Sequence, residues 1–500
     1  MLDLRMKGPT IRLGVIGLGG RGRDHVRRLA AMPDVRIVAI CDNWQPHLDR
    51  AFADLWTGPY ALYPKQRPPK GTLRYEEVLA RRDVDAICVF TSWETHMRIA
   101  MDAMLAGYPV CMEIGAGQSL EECYELCRTS ERTGRPVMPL ENCCYDRREL
   151  ALLNMIKQGV FGEVVHCQGG YEHDLRDEVG TGDRAHHYRQ PHFLLRNGEL
   201  YPTHEMGPIA KYLGINRGNR ILTLSAMASK ARGLHAWLAE HRPDLADRPV
   251  NEADVVTSML KCANGETILL THDCTLPRPY SRGGRVQGTK GLWQEDGNLI
   301  YLEGRTKVDK NDWMHSFEPA EPYLKEYAHP LWTAYEEMER RLVVGGHGGM
   351  DWLVERAWIE SVQTGTEPPL DCYDAATWMS ITVLSEQSIA MGGAPQAMPD
   401  YTRGLWMTRG PSRCVETWTL DAIPGAGAPA PKRRVKSFPR CACFKLARRI
   451  RSPCAPRREI KDPPERRIII KSACRGAASL TSHFTLHTFI CTLRSASLNS

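Results

Sequence analysis

A glycine-rich segment near the start of the chain has the residue types and spacing of a phosphate-binding turn. Gly17, Gly19 and Gly22 follow an apolar run at residues 11–16, and Asp42 lies twenty residues beyond the last of them. In such a turn the first glycine permits a sharp bend, the second lets the backbone approach a pyrophosphate, and the third allows a helix to pack closely on a strand. Free amides at the start of that helix bind the pyrophosphate. The sequence therefore predicts a dinucleotide site, the alternative being a plain glycine turn in another α/β protein.

Asp42 indicates which dinucleotide the turn binds. It follows the second predicted strand, residues 35–40, where a carboxylate accepts a hydrogen bond from a ribose hydroxyl. A carboxylate there repels a 2′-phosphate, so the sequence favours NAD over NADP. Arg21 and Arg23 keep NADP open as an alternative, although they can equally serve the pyrophosphate.

Two short motifs further along the chain carry groups that can move protons near neutral pH. Residues 171–173 read Tyr-Glu-His and residues 201–204 read Tyr-Pro-Thr-His. Histidine titrates near neutral pH, whereas a tyrosine, with a reference pKa of about 10, needs assistance from cations or hydrogen bonds. In a strand, Tyr171 and His173 share one face. The alternative is that these histidines are structural or surface residues.

A further group of histidines raises the question of a metal. His186, His187 and His192 lie close together in the sequence, with Tyr188 between them. Their spacing fits no standard zinc site. We therefore predict no metal and interpret the segment as a solvated loop near the site.

The first part of the chain has the pattern of a parallel sheet that positions these groups. Residues 11–140 alternate strand and helix patterns, as doubly wound sheets do. Ser119, with Glu122 three residues later, predicts the start of one helix. Ligands bind beyond the carboxyl ends of such strands, so the residues at the predicted strand ends should line one crevice. These residues are Asp42, Trp93, Glu113 and Asn142.

After about residue 150 the pattern changes to that of an α+β domain with a largely antiparallel sheet. Strand patterns recur at 164–171, 220–226, 254–261, 267–274, 285–288 and 291–295. Helix patterns follow at 324–343, 350–363 and 373–391. The predicted organisation is an NAD-binding Rossmann domain at 1–147, an α+β substrate and oligomerisation domain at 148–420, and a disordered basic tail at 421–500.

Charge is unevenly distributed along the chain. Residues 421–500 contain 17 Lys and Arg but only 4 Asp and Glu, whereas the whole chain has a net charge of +6. The main body is therefore mildly acidic, which argues against nucleic-acid binding. The tail is Pro-, Ser- and Cys-rich, and a reading frame that passes a natural stop would explain it as well as disorder does.

The cysteines and the lack of long apolar runs indicate the cellular compartment of the protein. The 17 cysteines lack metal-ligand spacing and are expected to be reduced, mostly buried thiols. The first ten residues lack the apolar core of a secretory signal, and we see no apolar run near the ~18 residues of a membrane span. We therefore expect a cytoplasmic protein with no membrane partner.

Longer motifs resemble one enzyme family over residues 10–418. They are Leu140–Arg147, Asn154-Met155, Gly159–Glu163, Tyr171–Arg176, Leu200–His204, Asn216–Gly218 and Val286–Gly291. In this order they resemble glycoside hydrolase family 109, the NAD-dependent α-N-acetylgalactosaminidases, a branch of the Gfo/Idh/MocA oxidoreductases. Sugar dehydrogenases of the wider family usually have Glu-Lys-Pro where this chain has Glu113-Ile114-Gly115. The usual proton-transfer lysine is therefore absent.

The resemblance implies a hydrolysis that uses a tightly bound, recycled NAD. Hydride from carbon 3 of the sugar passes to NAD+, a base removes the hydrogen on carbon 2, and the group on carbon 1 leaves by elimination. Water then adds and the hydride returns, so no net oxidation occurs. This route differs from ordinary glycoside hydrolysis, which places two carboxylates across the scissile bond.

The resemblance also implies roles for individual residues. The predicted NAD contacts are Gly17, Gly19, Gly20, Arg21, Gly22, Asp42, Trp93, Glu94, Thr95, His96, Glu113, Ile114, Asn142 and Tyr201. The predicted substrate contacts are Tyr171, Arg189, Tyr201, Pro202, Thr203, His204 and Tyr280. The predicted catalytic residues are Tyr201, His204, Tyr171 and His173, with His204 and Tyr201 handling protons at carbons 2 and 3. The alternatives are a surface ion pair for Arg189 and packing roles for the rings of Tyr280 and Trp93.

Two other functions remain open at this point. One is a Gfo/Idh/MocA sugar or cyclitol dehydrogenase that releases NADH, and the other is an NAD-bound scaffold without activity. The predicted partner is a glycan or glycoside that contains N-acetylgalactosamine. The resemblance also implies homo-oligomers that assemble through the open face of the second sheet.

Overall fold

The structure, a computed structural model, describes residues 8–184, 186–308, 311, 316–339 and 345–421. Within these residues the chain forms two β-sheets with helices packed against them. The predicted fold class, a Rossmann-type sheet followed by an α+β part, is confirmed.

The first sheet has six parallel strands in the order β3-β2-β1-β4-β5-β6. The strands are β1 Ile11–Ile16, β2 Val35–Cys41, β3 Lys70–Thr72, β4 Ala86–Val89, β5 Val110–Met112 and β6 Val137–Pro139. The helices are α1 Gly20–Ala31, α2 Gln45–Phe52, α3 Tyr75–Leu79, α4 His96–Leu105, α5 Leu120–Thr133 and α6 Arg147–Lys157. The strand order reverses between β1 and β4, which is where such sheets bind their ligands.

The second sheet has nine strands in the order β14-β13-β12-β11-β7-β10-β9-β8-β15. All neighbours are antiparallel except β7 and β10, which run parallel. The first five strands are β7 Val164–Glu172, β8 Ile221–Ala228, β9 Val255–Cys262, β10 Thr267–Asp273 and β11 Arg285–Gly288. The others are β12 Gly291–Gln294, β13 Leu299–Leu302, β14 Glu318–Pro319 and β15 Gln396–Ala397. The prediction of a largely antiparallel sheet is confirmed.

Eight helices accompany the second sheet in the described residues. They are α7 Arg176–Gly180, α8 Arg189–Leu195, α9 Thr203–Tyr212, α10 Gly233–His241, α11 Glu321–Glu326, α12 Pro330–Glu339, α13 Met350–Thr364 and α14 Cys372–Ala390. Helix α14 packs against β8 and also against α5 and β6, so it links the second sheet to the first. Along β9, buried and exposed side chains alternate, so one face of the sheet is covered and the other is open.

One predicted helix is wrong in its bounds. The pattern at 324–343 was predicted to be a single helix, but the structure has α11 ending at Glu326 and α12 beginning at Pro330, while residues 340–344 lie outside the described residues. Proline disfavours helical backbone at the residue before it and is tolerated at the first position of a helix. Pro330 therefore separates the two helices.

The body of the protein extends to the start of the predicted tail. The Asp421 carboxylate pairs with Lys211 at 3.3 Å and with Arg217 at 2.8 Å, and its side chain is 7% exposed. The prediction of disorder for the remainder, residues 422–500, lies outside the described residues. The twelve cysteines among the described residues are buried, free thiols. In the described part of the chain, we find no helix of the length and apolarity that crossing a membrane requires.

Candidate active site

The glycine turn has the close approaches that its spacing predicts. Gly17 has φ +101°, and a Cβ there would lie 2.3 Å from the carbonyl oxygen of Phe90. A Cβ on Gly22 would lie 2.3 Å from the Gly17 carbonyl oxygen, so α1 packs directly on the turn. By contrast, a Cβ on Gly20 would meet no described atom within 4 Å. The backbone between the two tight glycines is therefore open to a ligand at the start of α1.

Asp42 lies beside this turn, held by backbone amides. Its carboxylate accepts hydrogen bonds from the N–H of Leu18 at 2.7 Å and of Trp44 at 2.9 Å, and His47 lies 3.3 Å away. Burial alone would raise the pKa of Asp42, but these hydrogen bonds outweigh it and hold the pKa below its usual value. Asp42 is thus an ionised acceptor at the end of β2, as a ribose site requires.

Replacing Asp42 with alanine is expected to weaken NAD binding about tenfold or more and to reduce the preference for NAD over NADP. The reason is that a hydrogen bond to a charged acceptor and the repulsion of a 2′-phosphate are both lost. Titration of the purified variant with each dinucleotide measures both effects. Asp49→Ala, an exposed acid on α2, is the control and should change neither affinity. An unchanged NAD preference in Asp42→Ala would contradict this role.

The residues after β4 divide between the crevice and the core. Trp93 is 1% exposed, and its indole Nε1 has no hydrogen-bond partner among the described residues. Glu94 pairs with His192 at 2.9 Å, and Thr95 is the residue immediately before α4. His96 is fully buried, and burial lowers its pKa to about 4, so its ring is neutral. The structure thus brings Trp93 to the strand ends and places the His96 ring inside the protein.

Glu113, at the end of β5, belongs to a buried ionic network. Its Oε1 accepts from Arg21 Nε at 2.9 Å and lies 2.5 Å from His25 Nε2. Burial alone would raise the pKa of Glu113, but Arg21 and His25 have the larger effect and hold the pKa below its usual value. The carboxylate is therefore ionised. Ile114 is buried beside it. Arg21, predicted to contact NAD, therefore directs its guanidinium at carboxylates: Glu113 and also Asp351 of α13.

Three unpartnered polar atoms at the strand ends fit a bound dinucleotide. They are Thr91 Oγ1, Trp93 Nε1 and Asn142 Oδ1, each buried without a hydrogen-bond partner among the described residues. Buried polar atoms are nearly always paired in native proteins, so a group of unpaired ones at the open end of a Rossmann sheet fits a ligand. Together with the open backbone at Gly19 and Gly20, they offer a ligand both hydrogen-bond donors and acceptors, as a polar dinucleotide requires.

A cluster of aromatic rings adjoins these strand ends. The Tyr201 ring lies 5.8 Å from that of Trp93, 4.5 Å from that of Tyr171 and 4.9 Å from that of His204. Tyr171 is the penultimate residue of β7, whereas Tyr201 and His204 flank the start of α9, so the chain assembles the cluster from distant segments. The structure therefore brings the two predicted proton-transfer motifs together beside the crevice.

Glu141 is a member of this site that the sequence argument missed. Its Oε1 lies 2.8 Å from His204 Nδ1 and also accepts from the Cys143 N–H at 3.0 Å. A carboxylate that accepts from Nδ1 fixes the tautomer with the lone pair on Nε2, which makes His204 a base toward a ligand. The signal was present, since Glu141 stands next to Asn142 at the end of β6, but only the amide was assigned.

The same three residues are near enough to hold a metal. Ligand atoms of Glu141, Cys143 and His204 lie within 4.8 Å of one another. However, Arg282 Nη1 lies 3.4 Å from Cys143 Sγ, and burial raises the pKa of that thiol well above its usual value. A guanidinium beside the cluster repels a second cation, which disfavours a metal there. Hydrogen bonding accounts for the cluster.

Arg189 supplies the positive charge of the aromatic cluster. Its guanidinium lies 5.0 Å from the centre of the Tyr201 ring and 5.9 Å from that of Tyr171, and its Nη1 donates to Glu178 at 2.7 Å. Burial raises the pKa of Tyr201 well above its usual value, and Arg189 only partly opposes this. Tyr201 is therefore a neutral phenol, suited to donate a hydrogen bond.

The remaining predicted residues surround the cluster at different depths. His173 and Tyr280 form its outer side, with rings 5.3 Å apart, and the Tyr280 side chain is half exposed. Burial lowers the pKa of His173, so its imidazole is neutral at neutral pH. Pro202 and Thr203 are buried at the start of α9 and hold the backbone between Tyr201 and His204.

The histidine-rich segment makes separate contacts. His186 stacks on Trp44 at 4.9 Å, His187 stacks on Tyr188 at 4.8 Å, and His192 pairs with Glu94. The three rings thus contact different partners. The interpretation of the segment as a solvated loop is wrong for His192, which is buried on α8 because it packs toward Glu94 and Trp93.

Two family models match two consecutive parts of the chain. Residues 11–140 match the oxidoreductase family with an NAD-binding Rossmann fold. Residues 145–408 match the C-terminal domain of glycosyl hydrolase 109. The chain belongs to glycosyl hydrolase family 109. Its first sheet is accordingly an NAD-binding Rossmann domain.

Relatives agree with the assignment to family 109. A glycosyl hydrolase family 109 protein of Parabacteroides distasonis is 41% identical over 426 residues, covering 80% of this chain and 89% of the relative. An α-N-acetylgalactosaminidase of Tannerella forsythia is 39% identical over 424 residues, covering 80% and 88%. As a member of family 109, the protein is therefore a glycoside hydrolase.

Solved structures of distant oxidoreductases share the fold of this family 109 protein. An oxidoreductase from Agrobacterium radiobacter, solved with NAD+, L-tartaric acid and magnesium, has a TM-score of 0.55 at 16% identity, covering 78% of this chain and 98% of that one. Scyllo-inositol dehydrogenase from Lactobacillus casei, solved with NAD(H) and scyllo-inositol, has a TM-score of 0.53 at 13% identity, covering 78% and 99%. At these identities the likeness concerns the fold alone.

Proposed function

We propose that this protein hydrolyses α-N-acetylgalactosaminides with an NAD that stays bound and is recycled in every turnover. The observation that carries the proposal is the position of His204. It is held by the buried Glu141 and lies among the phenols of Tyr171 and Tyr201, at the edge of an NAD-binding sheet. The name of the Tannerella forsythia relative supports the substrate.

The carboxylates around the cluster favour this route over direct displacement. Direct displacement needs two carboxyl groups on either side of the bond that breaks. Here Glu141 binds His204, Glu113 binds Arg21 and His25, and Glu178 binds Arg189. Each of these acids is engaged with a cation or an imidazole, so none stands ready as one of an opposed pair.

Different side chains of the aromatic cluster carry out the separate proton transfers of the proposed reaction. A bound nicotinamide would supply reversible hydride transfer at carbon 3 of the sugar. His204 Nε2, which points away from Glu141, removes the proton from carbon 2. Tyr201, whose hydroxyl is protonated, donates a hydrogen bond to the oxygen on carbon 3 and stabilises the ketone. The neutral imidazole of His173 accepts the proton that the carbon 3 hydroxyl loses on oxidation and returns it on reduction. Tyr171 and Arg189 hold the sugar, with Tyr280 at the exposed side of the site, where the leaving group departs.

Hydrolysis in deuterated water tests the proposal. The purified protein, with no added NAD, is given 4-nitrophenyl α-N-acetylgalactosaminide, and phenolate release, deuterium at carbon 2 and net NADH are followed. We expect phenolate release with deuterium at carbon 2 and no net NADH. Release without deuterium would contradict the elimination route and indicate direct displacement. No release, with NADH formed from free sugars or cyclitols, would indicate a dehydrogenase instead.

A further inference from the structure

Asp351, the second residue of α13, is a buried carboxylate in contact with residues of the predicted NAD crevice. It is 0% exposed and lies more than 200 residues from the strands that form the crevice. Its Oδ1 accepts from Asn142 Nδ2 at 2.6 Å and from Arg21 Nη2 at 2.8 Å. Its Oδ2 accepts from Arg21 Nη1 at 2.8 Å and lies 2.8 Å from His347 Nδ1. One side chain of a late helix thus binds two residues of the predicted NAD site.

The charge state of Asp351 decides how Asn142 is oriented. Burial alone would raise the pKa of Asp351, but hydrogen bonds from Arg21 and His347 outweigh it and hold the pKa far below its usual value. An ionised carboxylate only accepts hydrogen bonds, so the amide nitrogen of Asn142 must face Asp351. The amide oxygen then faces the other way. This oxygen is the buried Asn142 Oδ1 that has no partner among the described residues.

We propose that Asp351 is a positioning residue of the cofactor site, which turns Asn142 so that its carbonyl oxygen accepts a hydrogen bond from NAD. The group that Asn142 binds must be a donor, such as a ribose hydroxyl or the carboxamide NH2 of nicotinamide. The same carboxylate also accepts from the Arg21 guanidinium, which donates to Glu113 as well. The proposal rests on the proposed function only in taking NAD as the resident cofactor.

The local backbone supports this placement. Gly346 has φ +112°, and a Cβ there would lie 2.6 Å from Asp351 Oδ2 and 2.9 Å from Arg28 Nη1. A side chain at this position would displace the carboxylate from its partners. The glycine before α13 therefore allows Asp351 to reach the glycine turn and β6 together.

Asp351→Asn tests the proposal, because an amide can donate as well as accept and no longer fixes Asn142. We expect NAD to bind at least about tenfold more weakly, measured by quenching of tryptophan fluorescence and by the NAD retained per protomer through gel filtration. Asn142→Ala should weaken binding similarly. The losses of affinity in the double variant should be less than multiplicative, because Asp351 acts on NAD through Asn142.

Asp34→Asn is the matched control. Asp34 is also a buried carboxylate that attaches α13, through Arg356 Nη1 at 2.8 Å, but it lies at the amino end of β2, opposite the crevice. It should lower the melting temperature and leave NAD affinity unchanged. If Asp351→Asn and Asp34→Asn weaken NAD binding alike, Asp351 acts only through stability and the proposal is wrong. Multiplicative losses in the double variant would also overturn it.

A second variant keeps the test open if Asp351→Asn does not fold. Asn142→Asp retains an acceptor toward NAD but places a carboxylate against Asp351 in place of a donor. We expect it to bind NAD more weakly than wild type, and wild-type affinity would overturn the proposal. All these measurements omit the sugar. A wild-type protein that binds NAD but releases no phenolate would therefore contradict the proposed function and leave this test intact.

Discussion

His204→Ala is expected to lower kcat by about 10²–10⁴-fold while NAD stays bound, the range that a positioned general base contributes. The imidazole is the group oriented by Glu141 toward the aromatic cluster, and alanine leaves no base in its place. Phenolate release from 4-nitrophenyl α-N-acetylgalactosaminide measures kcat. Deuterium incorporation at carbon 2 should fall in parallel, since His204 is assigned to that proton.

His166→Ala is the control for the His204 experiment. His166 also belongs to the second sheet, on the same strand as Tyr171, but it is bound to Thr267 at 2.8 Å, away from the cluster. It should retain wild-type turnover. Glu141→Gln should give an intermediate loss, because glutamine can still accept from Nδ1 but lacks the charge that stabilises the protonated ring. Wild-type kcat in His204→Ala would contradict the assignment.

Gly17→Ala is expected to abolish retention of NAD and to lower the melting temperature. The φ of +101° is unfavourable for alanine, and the added Cβ would lie 2.3 Å from the Phe90 carbonyl oxygen, so the turn or β4 must move. The turn is the part of the site that presents its backbone to the pyrophosphate. Bound NAD, released by denaturing the purified variant, and thermal unfolding measure the two effects.

Gly107→Ala separates backbone strain from steric overlap. Gly107 has φ +96°, close to that of Gly17, but a Cβ there would meet no described atom within 4 Å. It should cost about 1 kcal/mol of stability and retain NAD. Equal losses of stability in the two variants, with NAD retained in both, would show that the close approach at Gly17 does not control the turn.

The sequence predicted the NAD half of the site because its determinants are local. The turn, the strand before it and Asp42 lie within about thirty residues, and each has a fixed place in a βαβ unit. Caps are local too: Ser119 Oγ accepts from the Glu122 N–H at 3.1 Å at the start of α5, as predicted. Such features need only the backbone geometry of one or two elements.

The helix that carries His204 was not predicted, although its sequence held a signal. Met206, Ile209 and Ala210 are buried on α9 at helical spacing, but Pro208 interrupts the pattern. Pro208 lies inside the helix, where it cannot donate a backbone hydrogen bond to the His204 carbonyl four residues earlier. The motif at residues 201–204 predicts His204, but no neighbouring residue in the sequence indicates that Glu141 holds its ring.

Sequence by itself determined the glycine turn, the acid at the end of β2 and the class of fold, since these follow from residue type and short-range periodicity. Tertiary structure decided which side chains hydrogen-bond to the residues of the site. Glu141 reaches His204 across 63 residues, and Asp351 reaches Asn142 across 209. A buried carboxylate is stable only against donors that the whole fold brings to it. Spacing along the chain cannot reveal such pairs, because it records neither which helix packs on which strand nor which side chains are buried together.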